Sequence, residues 1–161
     1  IRWLCGGVFT EITAYEQNFG NPSDTDFHDI GTLLGRLSTG PTGFVRTDWF
    51  TPTPSPVHGD TRFLVTGTEG MIEVRTAGDL WAKKPDTSGQ ILVMTNTDGV
   101  KVEKPEPPSK TLVQDFVDSI REGTTPDIMN RDVFEATRAT LMARMSSKLS
   151  RTVLRGETLA T

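Results

Sequence analysis

Ile91-Leu92-Val93-Met94-Thr95-Asn96-Thr97-Asp98-Gly99-Val100-Lys101-Val102-Glu103, followed at once by Lys104-Pro105-Glu106-Pro107-Pro108, is the stretch on which the fold turns. Two short apolar runs around an Asp-Gly pair predict a β-hairpin, because Asp-Gly tolerates the positive φ of a tight turn. Proline has no N–H to give to a ladder, so Pro105, Pro107 and Pro108 end the sheet region. The elements between Val8 and this stretch read as strands, and those downstream mostly as helix.

Upstream, Val8 to Phe19 alternates with period two, which predicts a strand. Phe27 to Leu37 and Phe44 to Phe50 predict two more, separated by Ser38-Thr39-Gly40-Pro41-Thr42-Gly43. Thr51 to Gly59 holds Pro52, Pro54 and Pro56 and cannot sit inside a sheet. Arg62 to Thr66 and Met71 to Arg75 form a hairpin around Gly67-Thr68-Glu69-Gly70. Thr occurs 24 times, mostly before residue 100, and Thr favours strands.

Downstream, Ser109 is the expected cap of a helix running to about Glu122. Leu112, Val113, Phe116, Val117 and Ile120 share one face of it, and Gly123 stops it. Asn130 is the expected cap of a second helix, with Asp132 in its first turn. Val133, Thr137, Leu141, Met145 and Leu149 recur there every four residues. Thr152-Val153-Leu154 predicts a last short strand. Strands followed by helices give the α+β class, with a large, mostly antiparallel, open sheet and helices packed on one face. No βαβ alternation occurs, so these residues contain no Rossmann unit.

The 161 residues suit one domain, 1–161, and 35% of them are hydrophobic, enough for a core. Net charge is −4 without a basic cluster, which argues against nucleic acid as the main partner. No run approaches the roughly 18–20 apolar residues of a membrane span. The single cysteine, Cys5, excludes an internal disulfide and Cys-rich metal frameworks, and fits a reducing, cytoplasmic setting. Ile1-Arg2-Trp3-Leu4-Cys5-Gly6-Gly7 reads as the last turn of a helix ended by a Gly pair. One turn does not hold itself together in water, so the natural domain is expected to start upstream.

Both faces of Ile91-Leu92-Val93-Met94 and of Phe63-Leu64-Val65 are apolar. A sheet with one face in water alternates instead. Something else is therefore expected to cover these strands, a second copy of the chain or another domain.

The chemistry-bearing residues are few. His28 and His58 match no metal-ligand spacing, and no metal site is expected. His28-Asp29 falls on a predicted strand, whereas His58-Gly59-Asp60 lies on the Pro-rich loop, and loops carry function. Gly67-Thr68-Glu69-Gly70 precedes no helix, so it is no phosphate cradle. Arg46-Thr47-Asp48-Trp49-Phe50-Thr51-Pro52 and His58-Gly59-Asp60-Thr61-Arg62 remain. Arg46 and Asp48 point to one face of their strand and suit an ion pair. An aromatic beside polar groups at a strand end suits a sugar or polyol, whose C–H faces stack on rings while polar groups fix its orientation. A packed strand end with a rigid proline loop accounts for the same residues about as well.

Asp48-Trp49-Phe50-Thr51-Pro52, His58-Gly59-Asp60-Thr61-Arg62 and Val65-Thr66-Gly67-Thr68-Glu69-Gly70-Met71-Ile72-Glu73 together look familiar. So do Gln114-Asp115-Phe116-Val117-Asp118-Ser119-Ile120-Arg121-Glu122-Gly123 with Pro126, and the helix before Ser150-Arg151-Thr152-Val153. In this order they resemble the C-terminal domain of the glucose–fructose oxidoreductase, inositol dehydrogenase and MocA family of NAD(P)-dependent oxidoreductases. The resemblance implies a substrate and oligomerisation domain that follows a Rossmann domain. It also implies what has no match here, namely the dinucleotide Gly loop, the family's Glu-Lys-Pro lysine and its His-x-x-Asp helix motif, the last expected just before Ile1. No catalytic residue is therefore expected in the chain.

The expected function of the parent protein is hydride transfer between NAD or NADP and a hydroxyl of a sugar, inositol or related polyol. A Lys or His outside this chain would handle the hydroxyl proton. Trp49, Thr51, His58 and Arg62 are the substrate-side candidates, with orientation as their role. The isolated chain is expected to bind no cofactor and to be inactive, and the parent to be a homo-oligomer through its open sheet. The alternative is a non-catalytic assembly domain acting only through that sheet. A secreted carbohydrate-binding module is a weaker reading, disfavoured by the lone cysteine.

Overall fold

The computed structural model describes residues 1–84 and 87–158. It is α+β and antiparallel throughout, with its ladders divided between two four-stranded sheets. The chain forms two compact units, Ile1–Phe50 with Lys110 onward, and Thr51–Ser109.

The first unit opens with α1 (Arg2–Cys5), a single turn ended by Gly6 and Gly7 at φ 68 and 72, where a Cβ would be strained. Its sheet has the order β3 (Thr42–Asp48), β2 (Ile30–Leu37), β1 (Phe9–Gln17), β8 (Val153–Leu154). Plain alternation along β1 would put Phe9 and Ile12 on opposite faces. Both are buried, because the register shifts between Phe9 and Glu11. This bulge adds a residue at Thr10 and returns Phe9 to the core side. Gly35 makes room for the ring, since a Cβ there would lie 2.6 Å from Phe9 Cδ1.

The core consists of Phe9, Ile12, Ala14, Leu37 and Val153 from the sheet and Met142 and Met145 from α3 (Asn130–Leu149). Of the period-four row, only Met145 reaches the core. Four residues advance a helix by about 40° more than one turn, so such a row winds around the axis. Val133 and Leu141 are exposed, and Ala139, Met142, Ala143 and Ser146 make the contact beside Met145. Small alanines let the helix approach the sheet, and Met adapts to the gaps that remain.

The cap residues also differ from expectation by one or two places. α2 (Leu112–Glu122) is capped by Thr111, whose Oγ1 accepts the Gln114 N–H at 3.1 Å, and not by Ser109. Gly123 ends it at φ 69, as its sequence predicts. Asn130 is already helical, and the Met129 N–H donates to Asp132 Oδ2 at 3.2 Å. None of the residues of α2 is buried.

Beyond the two residues of β8, α3 completes the edge of β1 with side chains. The Ala14 N–H donates to Ser146 Oγ and the Glu16 N–H to Ser147 Oγ, both at 2.9 Å. Ser146 Oγ in turn donates to the Arg151 carbonyl at 2.6 Å. Two hydroxyls thus stand where a longer partner strand would have placed carbonyls.

The second unit carries a meander, β4 (Arg62–Gly67), β5 (Gly70–Arg75), β6 (Gln90–Thr95), β7 (Lys101–Glu103). Register sorts its side chains. Val65 faces Ile72 and Ile72 faces Val93, while Leu64 faces Glu73 and Glu73 faces Leu92. Across β4 to β6 one face therefore bears Phe63, Val65, Ile72, Val74, Ile91 and Val93, an apolar set that β7 borders with Lys101 and Glu103. The other bears Arg62, Glu73 and Arg75 among Leu64, Leu92 and Met94. No helix among the described residues is long and apolar enough to cross a membrane.

Candidate functional site

The four candidates divide between the units. Trp49 closes the first unit's β3, and Thr51, His58 and Arg62 belong to the second.

At the end of β3, Asp48 does two things. Its Oδ2 lies 3.4 Å from Arg46 Nη2, the ion pair the sequence suggests, and its Oδ1 accepts the Phe50 N–H at 3.1 Å. The second bond turns the chain out of the strand. The Trp49 ring is 67% exposed and meets Phe27 with centroids 6.3 Å apart and planes tilted by 47°. Tilted aromatic pairs at this distance attract through their quadrupoles. The Trp49 N–H donates to the Asp29 carbonyl at 3.0 Å. The outcome is a largely exposed Trp49 whose backbone is fixed to Asp29 and whose ring meets Phe27.

Phe27 and His28 were expected to open the second strand, but β2 begins only at Ile30. Asp29 explains the delay. Its carboxylate turns in to accept backbone N–H groups of Phe19 and Gly20, so residues 27 and 28 lie in the loop, while the Asp29 N–H and carbonyl still bond to Gln17 and Trp49. His28 is an exposed loop residue. Asp29 escaped the sequence reading because a lone acidic residue near a strand start carries no signal of burial.

In the second unit, Thr51 is half-buried and His58 is exposed, just before Gly59 at φ 90. Ser55 stiffens the intervening proline loop by donating to the Val57 carbonyl at 2.8 Å. Arg62 is engaged. Its Nε and Nη2 reach Asp60 Oδ2 at 2.8 and 2.7 Å, and its Nη1 lies 3.6 Å from Glu73 Oε1. Glu73 also accepts from Arg75 Nε and Nη2 at 2.8 and 3.1 Å. Arg75, then Arg62, holds the Glu73 carboxyl below its ordinary range, and Glu73 raises Arg75 in return. Arg62 is thus one end of a charged row, with its fork partly spoken for. The row went unread because Glu73 and Arg75 lie on another strand.

Nicotinamide dinucleotides need a strand, a Gly-rich turn and a helix N-terminus in succession. Gly67 to Gly70 joins two antiparallel strands instead. The described residues do not fit that group, and among them no three His, Cys, Asp or Glu side chains converge on a metal position.

No family model matches the chain. No curated protein matches it by sequence. Solved structures do. The chain is similar to a candidate oxidoreductase from Erwinia carotovora atroseptica, with TM-score 0.76 and 28% identity over 88% of this chain and 42% of that one. It is similar to another from Thermotoga maritima, with TM-score 0.80 and 21% identity over 96% of this chain and 43% of that one. It is also similar to an aldose-aldose oxidoreductase from Caulobacter crescentus, with TM-score 0.73 and 18% identity over 95% of this chain and 43% of that one. Further matches include an oxidoreductase in complex with NAD+ and a levoglucosan dehydrogenase in complex with NADH. The fold is thus one found in NAD(P)-dependent oxidoreductases, some of which act on sugars. The chain spans less than half the length of the chains it matches.

Proposed function

We propose that this chain is the substrate-side part of an NAD(P)-dependent oxidoreductase that moves a hydride between the nicotinamide and a hydroxyl-bearing carbon of a sugar, inositol or related polyol. The observation that supports it best is the 28% identity over 88% of the chain. The dinucleotide and the group that takes the hydroxyl proton belong to other segments of the longer protein. The residues of this chain bind and orient. The exposed Trp49 face offers a platform for the C–H face of a ring, and Phe27 fixes its tilt. Within the second unit, Thr51 and His58 are the hydroxyl- and imidazole-bearing candidates. Arg62 keeps donors to spare, since a guanidinium has five. The compartment this reading expects is the cytoplasm, where the free Cys5 would stay reduced. It self-associates through the apolar face of the second sheet, where Phe63 and Ile72 are 44% and 40% exposed.

The test is reduction of NAD+ and NADP+ by the longer gene product across a polyol panel, followed by Trp49→Ala. We expect turnover with at least one polyol and a KM raised about tenfold, roughly 1.4 kcal/mol, at nearly unchanged kcat. No turnover with any polyol, or an unaltered KM, would overturn the reading. Saturable micromolar binding of NADH to the 161-residue chain alone would overturn the division of labour.

A further inference from the structure

Asp29 is 1% exposed, and nothing in the proposed reaction uses it. Its partners are all backbone groups. Phe19 N–H reaches Oδ1 and Oδ2 at 3.0 Å each, and Gly20 N–H reaches Oδ2 at 2.5 Å. Its own N–H donates to the Gln17 carbonyl and its own carbonyl accepts from Trp49, both at 3.0 Å. One residue therefore ties the exit of β1, the entry of β2 and the exit of β3.

The packing around this knot is tight on the same side. A Cβ on Gly20 would lie 3.2 Å from Asp29 Oδ2 and 3.5 Å from Phe50 Cε1. The Phe50 ring thus rests on the segment that the carboxylate holds. Phe27, two residues before Asp29, is the ring that Trp49 meets. The Trp49 N–H, the Phe27 ring that Trp49 meets and the Phe50 ring thus each lead back to Asp29 or to the segment it holds.

We infer that Asp29 is the positioning residue of the Trp49–Phe50 corner, a buried carboxylate whose bonds to the Phe19–Gly20 backbone set where the exposed indole stands. As a role in substrate binding, this rests on the proposed function. A buried carboxylate satisfied only by backbone N–H groups holds shape without chemistry of its own. Asparagine keeps one acceptor oxygen but turns an NH2 toward donors, so the fold survives while the knot loosens.

Two measurements separate this inference from the one beneath it. The first is amide hydrogen exchange on the 161-residue chain. Asp29→Asn should speed exchange at Trp49, Phe19 and Gly20 about tenfold or more, with Ala14 and Glu16 unchanged. Gly20→Ala, which keeps the carboxylate but wedges the corner, should do the same. The second is KM for the polyol in the longer protein. Asp29→Asn should raise it as Trp49→Ala does. Ser146→Ala removes an equally buried anchor remote from the corner, and should lower thermal stability without moving KM. Trp49 exchange as slow in both variants as in the parent would overturn the inference, as would a KM shift in Ser146→Ala equal to that in Asp29→Asn. An unaltered KM in Trp49→Ala would sink the substrate reading alone, and hydrogen exchange would still decide the role of Asp29.

Discussion

Ser146→Ala should destabilise the first unit by about 2–4 kcal/mol, more than its size suggests. Ser146 is fully buried, and its hydroxyl both accepts from Ala14 N–H at 2.9 Å and donates to the Arg151 carbonyl at 2.6 Å. Ala14 is itself 3% exposed, so water does not easily replace the lost partner. A buried donor left unsatisfied costs roughly 1–3 kcal/mol, and the second bond adds about 1 kcal/mol. Ser147→Ala should cost less, about 1 kcal/mol, because Glu16 N–H lies nearer to solvent. Urea denaturation followed by circular dichroism reads both, and thermal melting should show Ser146→Ala lower by roughly 5–10 °C. A loss below about 0.5 kcal/mol for Ser146→Ala would refute the idea that α3 completes the edge of β1 by hydrogen bonding.

Three further predictions concern stability. Gly35→Ala places a methyl 2.6 and 2.8 Å from Phe9 ring atoms and 2.9 Å from the Glu11 carbonyl, so urea melts should show a loss of about 1–3 kcal/mol from overpacking. Gly123→Ala should cost about 1 kcal/mol in the same assay, because φ 69 strains any Cβ. The third is acid sensitivity. Arg155 bonds both oxygens of Glu135 at 2.6 and 2.7 Å and holds its carboxyl below the ordinary 4.5. A depressed folded value means stabilisation present in full above 4.5 and lost as pH falls through the lower, folded value. Glu135→Gln should therefore cost about 1 kcal/mol at pH 7, after allowance for solvent screening, and flatten the decline in acid. Melts at pH 3 and pH 7 that fall by the same amount in parent and variant would contradict it.

The sequence carried the element order well because strand alternation, Asp-Gly and Gly-Gly turns and helix-stopping glycines are local signals. Gly123 and the hairpin around Gly67 to Gly70 stand where they were expected. What escaped depends on distance. The bulge at Thr10 shows only against Leu37 and Arg36 on the next strand. The inward face of α3 is set by the sheet it meets, which favoured Ala139 and Met142 over the more hydrophobic Leu141. Among the site residues, the Arg46–Asp48 pair was legible because i and i+2 share a strand face. The engagement of Arg62 with Glu73 and the burial of Asp29 needed partners that lie 9 to 11 residues away in sequence.

The two faces of the second sheet have a consequence for how this protein can change. Side chains alternate across a strand, so losing one residue from the Gly67–Gly70 hairpin would send Phe63 and Val65 to the charged side and Arg62 to the apolar one. Gly70 adds a stop, because a side chain there would run into the Met94 carbonyl of the neighbouring strand. That hairpin is therefore closed to insertion and deletion, whereas the proline loop from residue 51 to 61 pairs with no strand until its last residue, where Thr61 accepts from Thr76. Length variation among homologues should collect in the loop beside His58 and avoid the turn. Divergence in what the protein recognises can then proceed without disturbing the register of the sheet that carries Arg62.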